Sequence, residues 1–209
     1  MATQLAASIA FVTTNAVDWR RRLPVLHTAG ATLRELRPSD AVSLMSLLTT
    51  AEVTRFISPP PTTVEGFERF IAWTLHEQAC GRYICFGIVP DGFDHAVGII
   101  QVRQLEAEFR TAEWGFAIGR EFWGTGLFHA TALTALQFVF EHVGVHRLEA
   151  RAVIANGRGN AALRKLGATC EGLLRKSFLR EGEYLDQVLW AIAADDWSVA
   201  RAPAYVSIH

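Results

Sequence analysis

The stretch that decides the fold is Glu113-Trp-Gly-Phe-Ala-Ile-Gly-Arg-Glu-Phe-Trp-Gly-Thr-Gly-Leu-Phe-His-Ala130, which runs directly into a segment with helical periodicity. Its order predicts a strand, a turn and a helix. Gly124 and Gly126 allow the chain to turn sharply, because glycine has no Cβ to clash with the backbone. The first N–H groups of the following helix have no intrahelical partner and lie at the positive end of the helix dipole. The sequence therefore predicts an anion-binding turn, of the kind most often used for phosphate groups.

The composition is that of one well-packed domain. The chain has 209 residues, of which 50% are hydrophobic and 11% aromatic, and this is enough for a substantial core. Its formal net charge is -1, so no basic field favours nucleic acid or a membrane surface as a partner. No apolar run reaches the roughly 18 residues of a membrane span. The three cysteines form no CxxC motif and cannot all pair, which favours a reduced, cytoplasmic setting.

The order of the predicted elements is typical of a mixed α/β domain. Apolar–polar alternation predicts the first strand at 32–37, and Pro38-Ser39-Asp40 offers an N-cap for the helix that follows. A central antiparallel meander precedes a long helix at 127–143. We therefore expect a single mixed, mostly antiparallel sheet of six to seven strands flanked by helices. The other strands are predicted at 83–89, 96–105, 111–118, 146–154, 172–179 and 184–192, with further helices at 51–56, between Thr62 and Gly81, and between Asn156 and Gly167.

The domain boundaries follow from where these patterns begin and end. Residues 1–30 carry weak signals and are expected to form an N-terminal extension of uncertain structure, with an extra strand from Ser8 to Thr14 as one option. The domain is predicted to span residues 31–197. Residues 198–209 are predicted to be a C-terminal tail, because Pro203 argues against a long terminal helix.

Three kinds of phosphate site compete for the glycine turn. A P-loop requires Lys-Ser or Lys-Thr after its last glycine, whereas Leu127-Phe128 follows Gly126 here. A dinucleotide-binding turn requires a third glycine, and His129 takes that position. The antiparallel meander ahead of the turn is also wrong for that fold. The third kind is a loop that binds the pyrophosphate of coenzyme A.

Two motifs in the right order favour the coenzyme A loop. Trp123-Gly-Thr-Gly-Leu-Phe128 resembles the central motif of the GNAT superfamily of N-acetyltransferases, whose general form is Gln/Arg-x-x-Gly-x-Gly/Ala. The segment 156–167 is similar to the next motif, an Asn followed by a helix that ends in Lys-Leu-Gly. Segments 33–40 and 186–191 resemble the first and closing strands. The resemblance covers about residues 31–197 and is nearest to the branch that includes the ribosomal-protein N-terminal acetyltransferases.

The resemblance implies the acyl-CoA N-acyltransferase fold and acetyl-CoA as acetyl donor. No metal is expected, because the seven His residues show no metal-ligand spacing. It implies that the strand Trp114–Gly119 pairs its backbone with the pantetheine arm, as another strand would. It also implies that the N–H groups from Phe122 to Phe128 surround the pyrophosphate. The cofactor-binding residues implied in this way are Phe116, Ala117, Ile118, Gly119, Phe122, Trp123, Gly124, Thr125, Gly126, Leu127, Phe128, Asn156, Asn160 and Lys165.

The sequence departs from the superfamily pattern at several positions. The Gln/Arg three residues before the first glycine is Glu121 here, so the side chain should point away and the loop should bind through main-chain N–H groups. Phe128 replaces a small residue and would narrow the pocket. Relatives carry a Tyr where this chain has Leu163, or a Ser where it has Gly159, as a proton donor to the leaving thiolate. Because both acids are missing, a non-catalytic acyl-CoA sensor is the alternative to an enzyme.

Acetyl transfer needs a neutral amine, so a group that accepts the ammonium proton is expected. Glu113 is the first choice as general base, since it begins the central strand and matches a carboxylate that such enzymes often carry there. The alternative is that Glu113 only forms a cross-strand ion pair with Arg103 or Arg151. His129 is the second candidate, although its position near the turn favours contact with the cofactor.

The acceptor is the least determined partner. Relatives acetylate protein N-terminal amines or small-molecule amines. The first helices and the last hairpin, which usually build the acceptor site, are apolar and aromatic here, without an acidic cluster. This lining argues against a polycationic acceptor, and Arg175, Lys176 and Arg180 favour an anionic or peptide-like one. Exposed edge strands are free to pair between subunits, which would give a homodimer. The expected acceptor-site residues are Phe56, Pro59–Pro61, Phe67, Trp73, Phe178 and Tyr184.

Overall fold

The computed structural model describes residues 18–201, which form an eight-stranded sheet with helices on both faces. The strands are β1 (Leu26–Thr28), β2 (Ala31–Glu35), β3 (Tyr83–Pro90), β4 (Gly98–Gln104), β5 (Thr111–Ile118), β6 (Arg147–Val153), β7 (Thr169–Arg180) and β8 (Glu183–Ala193). The helices are α1 (Ala41–Leu48), α2 (Ala51–Thr54), α3 (Val64–Ala79), α4 (Leu127–Phe138), α5 (Gly157–Lys165) and α6 (Ala194–Arg201). A π-helical turn, Val139–Val143, extends α4.

The sheet order is β1-β2-β3-β4-β5-β6-β8-β7, and every neighbouring pair is antiparallel except β5 and β6. The predicted fold class, a mixed and mostly antiparallel sheet flanked by helices, is confirmed. The strand count is one higher than expected, because β1 adds a strand at the edge next to β2.

Part of the segment for which the sequence predicted no definite structure belongs to this sheet and its core. Trp19, Leu23 and Leu26 are buried, and the ring of Trp19 packs edge to face on Phe109 with centroids 5.5 Å apart. The suggested strand from Ser8 to Thr14 lies outside the described residues. At the other end, α6 begins before residue 197 and continues past it.

The two faces of the sheet bury two separate apolar clusters, and β3 contributes to both. Its side chains alternate, as a strand requires: Ile84, Phe86 and Ile88 pack towards α4, whereas Tyr83 and Cys85 pack towards α1 and α3. Every residue of β3 is buried, as expected for a central strand covered on both faces. None of the helices within residues 18–201 is both long enough and apolar enough to cross a membrane.

The start of α1 differs from the predicted N-cap. The Asp40 carboxylate makes no capping bond to α1. It accepts hydrogen bonds instead from the N–H groups of Arg37 and Ala96, at 2.7 and 2.9 Å, and from both terminal nitrogens of Arg34. Asp40 is fully buried, so this ion pair fastens α1 to β2 and to the segment before β4.

Candidate active site

The sheet opens between its two central strands. Strands β5 and β6 pair only over Thr111–Glu113 and Arg147–Glu149, after which β6 continues beside β8 while β5 continues beside β4. We call the gap between residues 114–118 and 150–153 the slot. It lies at the only parallel pair of the described sheet, where each strand keeps a regular partner on its other side.

The backbone of β5 presents unpaired polar groups to the slot. Leu105 N–H donates to Thr111 O, and Gly119 N–H donates to Val97 O, at 2.8 and 2.9 Å. Because the hydrogen-bonding direction alternates along a strand, the odd-numbered residues of β5 bond to β4. The C=O group of Trp114 and the N–H and C=O groups of Phe116 therefore point into the slot, where β6 has diverged. These groups suit an extended ligand with amides of its own, because buried backbone groups need partners.

The glycine loop after β5 is held open by its own hydrogen bonds. Gly124 and Gly126 adopt left-handed φ angles of 77° and 86°, which strongly favour glycine. The hydroxyl of Thr125 donates to Phe122 O at 2.9 Å, and the indole N–H of Trp123 donates to Ile118 O at 3.0 Å. These bonds fix the loop, and one N–H at the start of α4 takes part in them, since the Leu127 N–H donates to the Thr125 hydroxyl oxygen at 3.3 Å.

A cavity of about 810 Å3 lies between this loop and the start of α5, and we call it the loop cavity. Most of the residues predicted to bind the cofactor line it: Phe116, Ala117, Ile118, Phe122, Trp123, Gly124, Gly126, Phe128, Asn156 and Lys165. Four predicted residues do not line it: Gly119, Thr125, Leu127 and Asn160. Gly119 is buried against Leu47, and the Thr125 side chain is hydrogen-bonded within the loop, to Phe122 O.

Asn160 is used internally rather than as part of the cavity wall. Its side-chain amide donates to Val153 O and Asn156 O, at 2.9 and 2.8 Å, and its oxygen accepts the indole N–H of Trp190 at 2.9 Å. These bonds tie α5 to the end of β6 and to β8. Asn160 therefore fixes the far side of the slot.

The loop cavity is rich in positive charge, although the chain as a whole carries a net charge of -1. Arg55, Arg158 and Lys165 line it, and the one carboxylate in its wall, Glu52, is paired with Arg120 at 2.5 Å. His129 also lines it, and partial burial together with nearby Lys165 lowers the pKa of its imidazole. Sequence reasoning missed Arg55 and Arg158. A basic residue inside the Asn156-Gly-Arg-Gly motif was the available signal for Arg158.

The departures from the superfamily pattern have structural counterparts. Glu121 is exposed and does not line the cavity, as the sequence predicted. Phe128 lies against Phe116 with ring centroids 4.1 Å apart, so its side chain narrows the inner end of the loop cavity. A Cβ on Gly159 would lie 2.5 Å from the amide nitrogen of Asn156, whose oxygen caps α5. A serine at that position would therefore require Asn156 to move.

A second cavity, of about 630 Å3, lies along the slot and towards α3, and we call it the aromatic cavity. Phe56, Pro59–Pro61, Phe67 and Phe178 line it, as the sequence predicted for the acceptor site. Trp73 and Tyr184 do not line it. Tyr83 and Gln101, which were not singled out from the sequence, do, and the Tyr83 hydroxyl donates to the Gln101 oxygen at 2.5 Å. Burial raises the pKa of this phenol.

The two cavities meet at the slot. The residues that line both are Phe56, Ile57, Phe116, Ala117, Asn156 and Gly159. A ligand that entered past the glycine loop would therefore present its inner end to the aromatic cavity. Within residues 18–201, no group of three or more His, Cys, Asp or Glu side chains is placed to hold a metal ion.

Glu113 lies in the wall of the aromatic cavity and is the only carboxylate among its lining residues. Its side chain is 15% exposed. Arg103 donates to one carboxylate oxygen, with Nε at 2.7 Å, and Arg151 donates to the other at 3.1 Å. The cross-strand pairing weighed in the sequence analysis thus occurs with both arginines, while the carboxylate still borders the cavity. Its role as a base remains a prediction.

The fold, the slot and the two adjoining cavities are those expected of an acyl-CoA-dependent N-acyltransferase. The chain belongs to the GNAT acetyltransferase family, since the family model described as an acetyltransferase (GNAT) domain matches residues 31–169. It is an acetyl-CoA-dependent N-acetyltransferase.

Relatives support this assignment and the branch predicted from the sequence. The uncharacterized N-acetyltransferase p20 of Bacillus licheniformis is 24% identical over 84% of this chain and 99% of its own length. The [ribosomal protein uS5]-alanine N-acetyltransferase of Escherichia coli is 26% identical over 61% of this chain and 65% of its own. The solved structure of Mycobacterium smegmatis RimJ in complex with CoA-disulfide has the same fold. Its TM-score is 0.72 at 24% identity, covering 85% of this chain and 93% of that one.

Proposed function

We propose that the protein transfers the acetyl group of acetyl-CoA to a primary amine by direct attack in a ternary complex, and that the acceptor is a protein N-terminal amine. The observation that carries this proposal is the meeting of two cavities at the slot. One is cationic and adjoins the glycine loop, and the other is aromatic. Holding both reactants in adjoining cavities favours direct attack, because orientation removes much of the entropic barrier.

The loop cavity suits acetyl-CoA in three respects. The backbone groups of Trp114 and Phe116 can pair with the amides of the pantetheine arm. The outward N–H groups of the glycine loop and the start of α4 suit the pyrophosphate. The side chains of Arg55, Arg158 and Lys165, none of which forms an ion pair within the described part of the chain, supply countercharge. In this pose the thioester lies near Phe116 and Gly159, where the two cavities meet.

In the reaction, the amine nitrogen forms a bond to the thioester carbon, and the carbonyl electrons move to oxygen. Slot-facing N–H groups of β5 are the donors available to that oxyanion. Collapse breaks the C–S bond, and the electron pair leaves with sulfur. With Gly159 and Leu163 at the positions where relatives carry a hydroxyl, we assign protonation of the thiolate to water, which passes on the proton that the attacking nitrogen loses as the amide forms.

Glu113 is proposed to accept the ammonium proton, directly or through water. Among the residues that the structure describes it is the only carboxylate bordering the aromatic cavity, and Arg103 and Arg151 hold it in a fixed orientation. The same two arginines argue against a polycationic acceptor, because they leave the cavity without uncompensated negative charge. An acceptor with one amine on an apolar, peptide-like body fits the aromatic and proline lining better, as the uS5-alanine acetyltransferase relative also suggests.

Thiol release in the presence of acetyl-CoA tests this proposal. We expect turnover with peptides that carry a free N-terminal alanine, none with the same peptides after N-acetylation, and little with spermidine. Replacing Glu113 by Gln should lower kcat/KM by about a hundredfold or more, as expected for removal of a general base. Glu149→Gln is the matched control: Glu149 has the same side-chain exposure of 15% and also pairs with Arg151, but does not line the aromatic cavity.

Three results would contradict parts of this proposal. Equal rates for wild type and Glu113→Gln would remove Glu113 as the base while leaving the transfer reaction intact. Tight acetyl-CoA binding without turnover on any peptide or small amine would favour a sensor, the alternative supported by the missing hydroxyls at Gly159 and Leu163. Turnover with small amines alone would support the acetyl-transfer reaction but would contradict a protein N-terminal amine as the acceptor.

A further inference from the structure

We propose that Arg158 binds a phosphate group of coenzyme A and supplies the polar side chain that the superfamily's central motif carries three residues before its first glycine. This inference rests on the proposed use of the loop cavity as the cofactor site. At that motif position the chain has Glu121, which is exposed and lies outside the cavity wall. Arg158 comes from α5, on the opposite side of the slot, and lines the cavity.

The guanidinium of Arg158 is placed against the glycine loop by an aromatic ring. Its central carbon lies 3.9 Å from the centroid of the Trp123 ring, which immediately precedes Gly124. Trp123 is itself anchored, since its indole N–H donates to Ile118 O at 3.0 Å. The contact therefore spans from α5 to the loop and brings a cation to the turn where the pyrophosphate is expected.

The hydrogen-bonding groups of Arg158 are free in the described part of the chain. No ion pair or hydrogen bond engages its side chain there, in contrast to Arg120, which is paired with Glu52. Stacking on an aromatic face leaves the in-plane N–H groups of a guanidinium available. Such groups bind phosphate through paired, charge-assisted hydrogen bonds. Arg158 thus has both a fixed ring platform and unused donors.

The position of Arg158 in its helix also points to a binding role. It is the second residue of α5, where the positive end of the helix dipole disfavours a cation. Lys165 and Arg55 line the same cavity and add to the positive potential. A phosphate group placed there would be attracted by the helix end and by Arg158 together. Removing Arg158 should therefore cost binding without costing stability of the fold.

Calorimetric titration of the full chain with coenzyme A and with pantetheine tests this inference. We expect Arg158→Ala to weaken coenzyme A binding by about ten- to hundredfold, as for loss of charge-assisted hydrogen bonds. Pantetheine, which has no phosphate, should bind equally to both proteins. Arg158→Lys should recover part of the loss, because it restores the charge without the planar stacking group.

Arg164→Ala is the matched control. Arg164 lies on the same helix and also faces a tryptophan, Trp190, at 5.6 Å, but it does not line the loop cavity. It should leave coenzyme A binding unchanged. Unchanged coenzyme A affinity in Arg158→Ala, or an equal loss for pantetheine, would overturn the phosphate role. If the wild-type protein failed to bind coenzyme A, the cofactor site itself, and with it the proposed function, would be rejected.

Discussion

At the scale of single residues, a motif position does not determine what its side chain contacts. Asn160 matches the second superfamily motif, and the resemblance implied contact with the cofactor. In the structure its polar atoms bond to Val153, Asn156 and Trp190. An asparagine side chain can bond either to a cofactor amide or to the protein's own main chain. Asn160 bonds to the main chain because the end of β6 passes within reach of its amide. The cofactor contact of Asn160 therefore stays a prediction, while its internal hydrogen bonds give it a structural role that the sequence did not indicate.

Asn160→Ala should destabilise the fold. The substitution leaves the buried indole N–H of Trp190 without its partner, whereas the carbonyl of Val153 still accepts the Asn156 N–H at 2.8 Å. We expect the free energy of unfolding to fall by about 1–3 kcal/mol, the cost of stranding a buried polar group. Urea denaturation measures this loss. If Asn160→Ala had wild-type stability but bound coenzyme A more weakly, Asn160 would act in cofactor binding and not in holding the fold together.

At the scale of elements, the strand, glycine turn and helix of residues 111–143 were predictable because their signals are local. Glycine spacing, apolar periodicity and helix-end chemistry all lie within that one segment. The three-residue strand β1 was not predictable, because so short a strand is defined by pairing with β2 rather than by its own sequence. The cationic wall of the loop cavity was missed for a related reason. Arg55 and Arg158 lie about a hundred positions apart, and only the fold brings them together.

Gly126→Ala tests the glycine turn as an element. No atom lies within 4 Å of where the new Cβ would be, so the cost arises from the φ of 86° and not from a clash. We expect the free energy of unfolding to fall by about 1–2 kcal/mol, unless the loop shifts to a backbone conformation that relieves the strain. Either way coenzyme A affinity should fall at least tenfold, because the N–H groups depend on the loop geometry.

Gly144→Ala is the control for that change. Gly144 has a φ of 81°, is equally open to a Cβ, and lies at the end of the π-helical turn, away from both cavities. It should lose similar stability while binding coenzyme A normally. Equal affinity losses in the two variants would mean that the effect is general strain and that the loop has no special part in binding.

At the scale of the whole molecule, the buried pair of Arg34 and Asp40 links parts of the chain that are distant in sequence. Arg34 also donates to Asp94 O at 3.0 Å, so the pair joins β2, α1 and the turn between β3 and β4. Burial raises the pKa of the Asp40 carboxyl, but the hydrogen bonds from Arg34, Arg37 and Ala96 outweigh it and lower the pKa overall. The folded state therefore favours the ionised form of the Asp40 carboxyl.

This pair should make the fold sensitive to acid. A carboxyl whose pKa is lower in the folded state stabilises the protein above its unfolded pKa of about 3.9, and that contribution is lost as the pH falls towards the folded value. Asp40→Asn should destabilise the protein by about 3–5 kcal/mol at pH 7, because it leaves Arg34 buried without a counter-ion. The difference from wild type should narrow below pH 4.

Thermal unfolding from pH 3 to pH 8 measures this dependence, with Glu77→Gln as the control. Glu77 pairs with Arg82 at the surface, where solvent screens the interaction, so its removal should change stability much less than Asp40→Asn does. A constant difference between wild type and Asp40→Asn across the range would show that the Asp40 charge does not govern acid stability.

The slot also has a consequence for how distant substitutions act. Strands β1 to β5 come from residues 26–118 and β6 to β8 from residues 147–193, so the slot separates two runs of chain that are each continuous. Within the sheet, the β1–β5 portion and the β6–β8 portion are joined only by three residue pairs between β5 and β6, at one end of the slot. The two portions therefore diverge from that end like the two arms of a wedge. Arg147 lies at the vertex of this wedge and bonds to Glu149 and Glu171. A small rotation there would be magnified at the open end, so the width available to a ligand depends on the angle between the two arms as well as on the residues that line the slot.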